Sequence, residues 1–333
     1  MRAIVLPAPA PIETEPLRLT DLPCPVPAAS EILVRVATCG VCRTDLHVSE
    51  GDLPPKRPRV VPGHEIVGVV EALGAGARRF AVGERVGVAW LRETCGACKY
   101  CRAGRENLCP NARFTGWDDD GGYAEHTVVR EDFAYRLPHN IDDEHAAPLL
   151  CAGIIGFRAL KRANVVPGAT VGLYGFGGSA HLVIQVLKHW NCRAFVMSRG
   201  GIHRDLAQEL RADWVGDADE PPPARLDAAI LFAPAGNLVP AIMRSLDRGG
   251  ILAVAGIHLT DFPSLEYERD LFYEREIRSV TANTRADGEQ FLKLAGEIPI
   301  VTHTVGMRLD EANRALVMLK HDELRGAAVL HVA

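Results

Sequence analysis

The chain has 333 residues, of which 47% are hydrophobic and 24% are charged, and its formal net charge at pH 7 is −5. This length predicts about two domains, and the composition is typical of a globular protein rather than a disordered or fibrous one. The sequence contains no run of about 18 apolar residues and no basic patch, so we expect neither a membrane span nor a nucleic-acid surface. Pro7 interrupts the N-terminal apolar segment, which predicts the absence of a signal peptide and a cytoplasmic location.

Short apolar segments separated by glycine-containing turns characterise the first part of the chain. Alternation of apolar and polar residues predicts strands at residues 31–37, 65–71, 84–89 and 123–129. Several short strands at this spacing predict a β-barrel-like or sandwich domain.

From Asp142 onward the pattern changes to strands that alternate with helices. Asp142 is predicted to cap a helix that continues towards Leu160. The later segments predict strands at residues 169–174, 193–197, 226–232 and 250–255, and helices at residues 180–190, 203–210, 238–246 and 287–295. Such alternation predicts a parallel sheet with right-handed crossover connections.

A glycine-rich turn joins the first strand of this second region to its first helix. The segment GFGGSA at residues 175–180 matches the dinucleotide-binding pattern, in which glycines allow a pyrophosphate to approach the backbone at a helix N-terminus. An ordinary glycine-rich turn is the alternative. The predicted cofactor-binding residues are Gly175, Gly177, Gly178, Ser179 and Ala180.

The end of the second strand of this region bears on the choice between NAD and NADP. A carboxylate there would bind the ribose hydroxyls of NAD, whereas the sequence has Ser198 and Arg199 and no carboxylate until Asp205. We therefore predict that Ser198 and Arg199 bind the cofactor and that they favour NADP. The alternative is that Arg199 is a solvated loop residue.

Four of the nine cysteines fall within fifteen residues, in the segment that we call the four-cysteine loop (residues 95–109). Their spacing is that of a closed metal site with four thiolate ligands, which is typical of structural zinc. An iron–sulfur cluster and a set of unligated thiols are the alternatives. The predicted ligands are Cys95, Cys98, Cys101 and Cys109.

A second metal site is predicted from residues that lie far apart in the sequence. Two cysteines and a histidine make a three-ligand catalytic zinc set with one position open for substrate, and the candidates are Cys42, His64 and Cys151. Spacing alone does not select them. They are selected by their flanking segments, which are CGVCRTDLH at residues 39–47, PGHE at residues 62–65 and LLCAG at residues 149–153.

These segments resemble those of the zinc-dependent alcohol dehydrogenases of the medium-chain dehydrogenase/reductase family, and the similarity extends over essentially the whole chain. The resemblance implies an α/β fold in which a GroES-like β-rich catalytic domain accompanies a doubly wound parallel Rossmann domain. The implied domains are a zinc-binding catalytic domain at residues 1–150, the dinucleotide-binding domain at residues 151–284, and a return to the catalytic domain at residues 285–333.

The resemblance also implies roles for residues around the metal, with two zinc ions per chain. Thr44 would take the alcohol proton, and His47 would pass it through the cofactor ribose towards solvent. Asp45 would orient His64, and Glu65 would lie beside the catalytic metal.

Further residues are implied for the cofactor and the substrate. Arg43 and Arg285 resemble the contacts to the pyrophosphate. Trp90 and Trp117 resemble aromatic residues of the substrate pocket, although plain core packing would also explain them. Leu53 stands where ethanol-specific relatives carry tryptophan, which predicts a pocket that accepts substrates bulkier than ethanol.

The predicted function is therefore reversible hydride transfer between an alcohol and NAD(P), by a zinc-dependent alcohol dehydrogenase or carbonyl reductase. The predicted partners are a small-molecule alcohol, aldehyde or ketone and, by resemblance, further copies of the chain in a dimer or tetramer. A zinc-free quinone or enoyl reductase on the same fold is one alternative, but such proteins generally lack the PGHE and four-cysteine segments. A binding protein that contacts nucleic acid or a protein through residues 95–109 is the other, and the negative net charge does not favour it.

Overall fold

A computed structural model describes residues 1–257 and 259–332. The strands are β1 (Arg2–Val5), β2 (Arg18–Asp21), β3 (Glu31–Val41), β4 (Glu65–Leu73), β5 (Arg85–Val88), β6 (Leu91–Glu93), β7 (Arg113–Phe114), β8 (His126–Arg130), β9 (Ala134–Arg136), β10 (Thr170–Tyr174), β11 (Arg193–Met197), β12 (Trp214–Gly216), β13 (Leu226–Leu231), β14 (Leu246–Val254), β15 (Glu276–Ser279), β16 (Thr304–Arg308) and β17 (Ala327–His331). The α-helices are α1 (Arg43–Glu50), α2 (Lys99–Arg102), α3 (Asp143–Ala146), α4 (Ala152–Arg162), α5 (Gly178–His189), α6 (Gly201–Glu209), α7 (Val239–Ser245), α8 (Arg285–Glu297) and α9 (Ala312–Lys320). Among the described residues, no helix combines the length and the apolar character needed to cross a membrane.

The chain divides into two compact units, residues 1–154 with 282–333 and residues 155–281. The first unit contains a seven-stranded sheet in which β16, β17, β3, β4, β5 and β9 lie side by side and β8 pairs with β3. Two short ribbons, β1 with β2 and β6 with β7, complete its strands. This unit matches the expected β-rich domain.

Strand β3 is the centre of the first unit because three other strands pair with it. Strand β4 runs antiparallel along almost its whole length, while β8 and β17 share its other edge. The alternating side chains of Ile32, Val34 and Val36 are buried, as the period of two predicts. As a result, the end of β3 lies beside the start of β4, where Gly40 pairs with Glu65.

The second unit is built on a six-stranded parallel sheet in the order β12-β11-β10-β13-β14-β15. All five residues of β10 are buried, which is typical of a parallel strand covered on both faces. The chain leaves β10 on one side towards β11 and later returns on its other side as β13. The strand order therefore reverses at β10, and ligands of open α/β sheets bind at the carboxyl end of such a strand. The predicted α/β fold class is confirmed.

One predicted element is wrong in a way that affects the site. The single helix expected from Asp142 towards Leu160 is divided into α3, a 3₁₀ turn over Ala147–Leu150, and α4. Asp142 does cap α3, since its side chain accepts a hydrogen bond from the backbone N–H of His145 at 2.9 Å. Pro148 lacks the N–H that a continuous helix would require, so the helix breaks there. Cys151 projects from this break, with φ −125° and ψ −70°.

Several further boundaries differ from the prediction. Strand β3 continues to Val41 and β14 begins at Leu246, whereas the predicted strands ended at residue 37 and began at residue 250. The strand expected from residue 123 begins at His126, because the carbonyl of Tyr123 instead accepts a hydrogen bond from Ile4 at 2.7 Å. The helix expected at residues 287–295 is longer and begins at Arg285.

Candidate metal and catalytic site

Two of the three predicted catalytic metal ligands lie at adjoining strand ends. Cys42 follows β3 directly and is the N-cap of α1, and His64 immediately precedes β4. Gly63 has φ +95°, a conformation that favours glycine, and a β-carbon there would lie 2.4 Å from the ring of Tyr123. The antiparallel pairing of β3 with β4 therefore brings together residues that are 22 positions apart in the sequence.

A buried carboxylate fixes both of these strand ends. One oxygen of Asp45 faces Nδ1 of His64 at 2.9 Å and accepts a hydrogen bond from the backbone N–H of Gly63 at 3.1 Å. Its other oxygen accepts from the backbone N–H of Cys42 at 2.9 Å. Because a carboxylate can only accept, Nδ1 of His64 carries the hydrogen of this contact, and Nε2 is the nitrogen that can offer a lone pair to a metal.

Cys151 completes the cluster from the break between α3 and α4. Its sulfur lies 3.7 Å from that of Cys42. One ligand atom from each of Cys42, His64, Glu65 and Cys151 lies within 4.8 Å of the others. Nε2 of His64 is fully buried and has no hydrogen-bond partner among the described residues. A buried polar atom without a partner is costly, and a metal ion would satisfy it.

The donor set and its spacing fit zinc. Zn²⁺ takes thiolate and imidazole ligands in a tetrahedron, and zinc–sulfur bonds of about 2.3 Å place two sulfurs about 3.8 Å apart. The observed separation of 3.7 Å between the sulfurs of Cys42 and Cys151 agrees with this value. The site therefore suits one ion with two sulfur ligands and one nitrogen ligand.

The electrostatics of the cluster favour a cation. The hydrogen bond between the two thiols lowers the pKa of Cys42 and, together with burial, raises the pKa of Cys151. Burial disfavours the charged form of His64, yet the Asp45 carboxylate raises its pKa well above the ordinary value. The Cys42 thiolate and the Asp45 carboxylate thus place negative charge around a buried position, and a divalent cation would balance it.

Glu65 brings a second carboxylate to the edge of this cluster. Burial raises the pKa of Glu65 well above its usual range, and Oε2 has no hydrogen-bond partner among the described residues. A β-carbon at position 40 would lie only 1.9 Å from this oxygen. Gly40 is therefore required for Glu65 to reach the cluster.

The predicted proton-transfer residues both lie on α1, which begins next to Cys42. The Thr44 hydroxyl is buried and lies 3.8 Å from the sulfur of Cys42. His47 is one helical turn further on, and its Nδ1 lies 2.8 Å from the Asp52 carboxylate at the surface. The helix thus connects a buried hydroxyl beside the cluster to an ionisable pair at the surface.

The predicted pocket aromatics form a stack that begins at the cluster. The Trp90 ring lies edge-on to His64, with 5.0 Å between centroids. It is nearly parallel to the rings of Phe114 at 5.0 Å and Trp117 at 6.0 Å. Sequence reasoning missed Phe114, whose only signal is its position three residues before Trp117. Leu53, which is half-buried, follows α1, and its backbone N–H donates to the carbonyl of His47 at 3.2 Å.

The four cysteines of the four-cysteine loop also converge. The four sulfurs lie within 4.8 Å of one another, and the sulfur–sulfur distances are 3.5 Å for Cys98–Cys101, 3.5 Å for Cys95–Cys109 and 4.0 Å for Cys95–Cys101. These values again match the sulfur–sulfur edge of about 3.8 Å around a single tetrahedral ion. In a multi-iron cluster the cysteines bind different iron atoms, which would hold the sulfurs further apart.

Backbone hydrogen bonds prepare these thiols for metal. N–H groups of Ala97 and Cys98 lower the pKa of Cys95 to about 6, whereas burial raises the pKa of Cys109 to about 11. The N–H of Cys101 likewise donates to the sulfur of Cys98 at 3.5 Å. Such N–H···S bonds favour the thiolate form that binds metal.

The glycine-rich turn lies at the carboxyl end of β10, as predicted. Gly175 has φ +90°, and a β-carbon there would lie 2.8 Å from the backbone nitrogen of Ala233. Gly177 is the N-cap of α5, and a β-carbon on it would meet nothing within 4 Å. Gly178 and Ser179 open α5, whose first N–H groups have no acceptor within the helix, and Ala180 is buried. The open space and free donors at this turn suit a pyrophosphate.

The residues predicted to distinguish NAD from NADP follow β11. Ser198 is buried, and its backbone N–H donates to the carbonyl of Gly216 at 3.1 Å. Arg199 is exposed, and its carbonyl accepts a hydrogen bond from Arg204 at 3.3 Å. A second arginine therefore lies close to the predicted phosphate position.

The two arginines predicted to contact the pyrophosphate have carboxylate partners in the first unit. Arg43 forms an ion pair with Asp322. Arg285 lies 3.5 Å from Glu106 and 3.3 Å from Asp132. Neither carboxylate partner of Arg285 carried any sequence signal. The pyrophosphate role of both arginines stays a prediction.

Comparisons with known proteins agree with the motifs. Residues 28–139 match the model of the alcohol dehydrogenase GroES-like domain. A protein of Mycobacterium tuberculosis described as "Probable alcohol dehydrogenase AdhA" is 56% identical over 97% of this chain and 94% of its own length. The chain belongs to the alcohol dehydrogenases of the medium-chain dehydrogenase/reductase family. The family predicted from the sequence is thus confirmed.

Solved structures of this family share the fold along their whole length. A cinnamyl alcohol dehydrogenase of Sorghum bicolor superposes with a TM-score of 0.88 at 28% identity, covering 98% of this chain and 97% of the sorghum chain. A structure described as an NAD-dependent alcohol dehydrogenase gives a TM-score of 0.90 at 25% identity and covers 100% of both chains.

Replacing Asp45 by alanine tests the role of the buried carboxylate. Asp45→Ala leaves Nδ1 of His64 and two backbone N–H groups without a partner, and we expect the free energy of unfolding to fall by about 3 kcal/mol or more. Asp52→Ala is the control, because it removes the exposed partner of His47 and should cost about 0.5 kcal/mol or less. Denaturant titration of both variants measures this difference, and equal losses would contradict the assigned role.

Proposed function

We propose that this protein catalyses reversible hydride transfer between a small-molecule alcohol and NAD(P), with zinc held by Cys42, His64 and Cys151 and a second, structural zinc held by the four-cysteine loop. The observation that carries the proposal is the buried Nε2 of His64, which faces two thiols and lacks any hydrogen-bond partner among the described residues. Family membership supports the oxidoreductase activity and the use of NAD(P). The dimer or tetramer stays a prediction from the resemblance, and the cytoplasmic location stays a prediction from the sequence.

The chemistry is divided between the bound groups and the chain. When bound, zinc withdraws electron density from the alcohol or carbonyl oxygen, and the nicotinamide accepts or donates the hydride. Asp45 keeps the hydrogen of His64 on Nδ1, so that Nε2 is available as a ligand. Glu65 adds a buried carboxylate beside the same position.

The proton of the alcohol needs a path out of a buried site. Thr44 has a hydroxyl beside the cluster, which accepts the proton as the hydride leaves and passes on its own. His47 lies one turn further along α1 and is paired with Asp52, so it can deliver the proton to solvent. In carbonyl reduction the same groups supply the proton.

The aromatic stack supports a preference for bulky substrates. Trp90 lies against the ligand His64, and its ring continues into those of Phe114 and Trp117. Such a flat, apolar surface suits the hydrocarbon part of a substrate. Leu53 leaves more room than tryptophan would, which is why we propose alcohols larger than ethanol.

A panel of alcohols and ketones, assayed with both coenzymes, tests the proposed function. We expect coenzyme-linked oxidation of alcohols, with bulkier alcohols giving a higher kcat/KM than ethanol. Cys42→Ser should abolish turnover, because it removes a ligand of the cluster. Reduction of quinones or enones that survives in Cys42→Ser would instead favour the zinc-free reductase alternative.

Metal content tests the two predicted sites separately. Elemental analysis should find two zinc ions per chain, one for each cluster. Cys98→Ser should lower the thermal midpoint strongly, because a structural zinc contributes directly to folding, whereas Cys42→Ser should affect the midpoint less. A single zinc ion in the wild type, or iron with a visible charge-transfer band, would refute the assignment.

Substitutions on α1 test the proton path. Thr44→Val should reduce kcat by about 100-fold or more, since the alcohol loses its proton acceptor, and Thr44→Ser should retain most activity. His47→Gln should cost less and mainly at low pH, where water and hydroxide replace the histidine poorly. Losses for His47→Gln that are equal at every pH would argue against the path.

Arg199→Ala tests the coenzyme preference. If Arg199 meets the 2′-phosphate, this charge-assisted contact should favour NADP(H) by about 1–3 kcal/mol, or about five- to 150-fold in kcat/KM. The variant should then lose affinity for NADP(H) and retain that for NAD(H). Equal coenzyme selectivity in wild type and variant would show that Arg199 has no such role.

A further inference from the structure

Glu106 belongs to the four-cysteine loop, and its carboxylate contacts a residue outside that loop, Arg285. It begins the 3₁₀ turn Glu106–Leu108, just before the last cysteine ligand, and only 5% of it is exposed. Its carbonyl accepts a hydrogen bond from the backbone N–H of Cys109 at 3.0 Å. The position of Glu106 is therefore tied to the cysteine beside it.

The Glu106 carboxylate binds the N-terminus of helix α8. Its Oε1 accepts a hydrogen bond from the backbone N–H of Arg285 at 2.9 Å and lies 3.5 Å from Nε of the same residue. Thr284 and Asp287 already cap this helix reciprocally, so Glu106 satisfies an additional N–H group that the helix itself cannot. Its negative charge also suits the positive end of the helix dipole.

Helix α8 in turn lies directly against the segment that carries Cys151. A β-carbon at Gly153 would lie 2.2 Å from Cε1 of Phe291, so the ring occupies the space above that glycine. Phe291 is itself only 1% exposed. Because interiors are close-packed, a displacement of α8 must either move residues 151–153 or leave a void.

The opposite side of this segment faces the candidate catalytic cluster. The backbone N–H of Ala152 forms a hydrogen bond with the Glu65 carboxylate, which is part of that cluster. The sulfur of Cys151 lies 3.7 Å from that of Cys42. Residues 151–153 are thus held between the cluster and the ring of Phe291.

We propose that Glu106 and Phe291 are positioning residues for Cys151, through which the four-cysteine loop determines the geometry of the other metal site. The chain of contacts runs from Cys109 to Glu106, from Glu106 to the start of α8, and from Phe291 to Gly153. Every step lies within one compact unit of the fold. The inference rests on the proposed function in assuming that both clusters bind metal.

Release of the catalytic metal into an excess of chelator tests the link. In Glu106→Ala the N-terminus of α8 loses its partner, and we expect release from the Cys42–His64–Cys151 site to be about tenfold faster, as for other outer-shell changes. Glu106→Gln keeps an oxygen that can accept from Arg285 and should stay near the wild-type rate. Phe291→Leu perturbs the second contact without touching the four-cysteine loop and should also accelerate release.

Cobalt(II) exchanged into the catalytic site reports on its ligand geometry independently of turnover. The visible d–d bands should shift in Glu106→Ala and in Phe291→Leu, which a mere loss of thermal stability would not cause. Glu289→Ala is the matched control, because Glu289 lies on the same helix and forms an exposed ion pair with Arg79 at 3.0 Å. This control should release metal at the wild-type rate with unchanged bands.

The outcomes separate the inference from the proposed function. Wild-type release rates and bands in both Glu106→Ala and Phe291→Leu would refute the link, as would equal changes in Glu289→Ala. If Glu106→Ala does not fold, Glu106→Asp takes its place, because it keeps the charge but shortens the side chain that reaches the N–H of Arg285, and it is judged against Glu289→Ala by the same criteria. Wild-type protein that binds no second metal would instead refute the metal assignment on which both depend.

Discussion

The Asp45 carboxylate accepts hydrogen bonds from the backbone at residues 42 and 63 and faces the ring of His64, so three donors from two strand ends share one buried acceptor. Burying this carboxylate away from water is unfavourable unless its oxygens accept hydrogen bonds. Here the donors belong to the two strand ends that carry Cys42 and His64. The same contact sets the imidazole tautomer and locks the end of β3 onto the start of β4. The positions of Cys42 and His64 are thereby fixed, and the other members of the cluster are arranged around these two residues.

Each candidate ligand of this cluster has a glycine within two positions of it in the sequence. Gly40 leaves room for the Glu65 carboxylate, Gly63 for the Tyr123 ring and Gly153 for the Phe291 ring. In each case the space of a missing β-carbon is occupied by a side chain from another element. These side chains therefore pack directly against the backbone that carries the candidate ligands. Such contacts restrict the position of the ligands more than contacts with the ligand side chains alone would.

The sequence predicted the fold class because strand and helix periods are local, and it predicted the family because whole segments around Cys42, His64 and Cys151 matched. It also predicted that these three residues would meet, although their spacing alone could not have selected them. The helix break at Cys151 was missed because the apolar pattern continues through Pro148 without interruption. The proline itself was the available signal.

Other parts of the site left no local trace in the sequence. Glu106 and Arg285 are 179 positions apart, and an isolated glutamate in a loop looks like any solvated charge. Phe114 joins the aromatic stack only because β7 pairs with β6, which are strands too short to show a period. The members of both candidate metal sites could therefore be predicted from the sequence, whereas the contacts that hold them in place were visible only in the folded structure.

The low pKa of Cys95 has a consequence for the redox chemistry of the chain. With a pKa of about 6, this exposed thiol is largely thiolate near neutral pH, and its sulfur lies 3.5 Å from that of Cys109. A bound cation shares the electrons of such thiolates and shields them from oxidants. Without a cation, the same closeness that favours ligation favours a disulfide when a two-electron oxidant is present, and metal could not bind again until a reductant opened that disulfide.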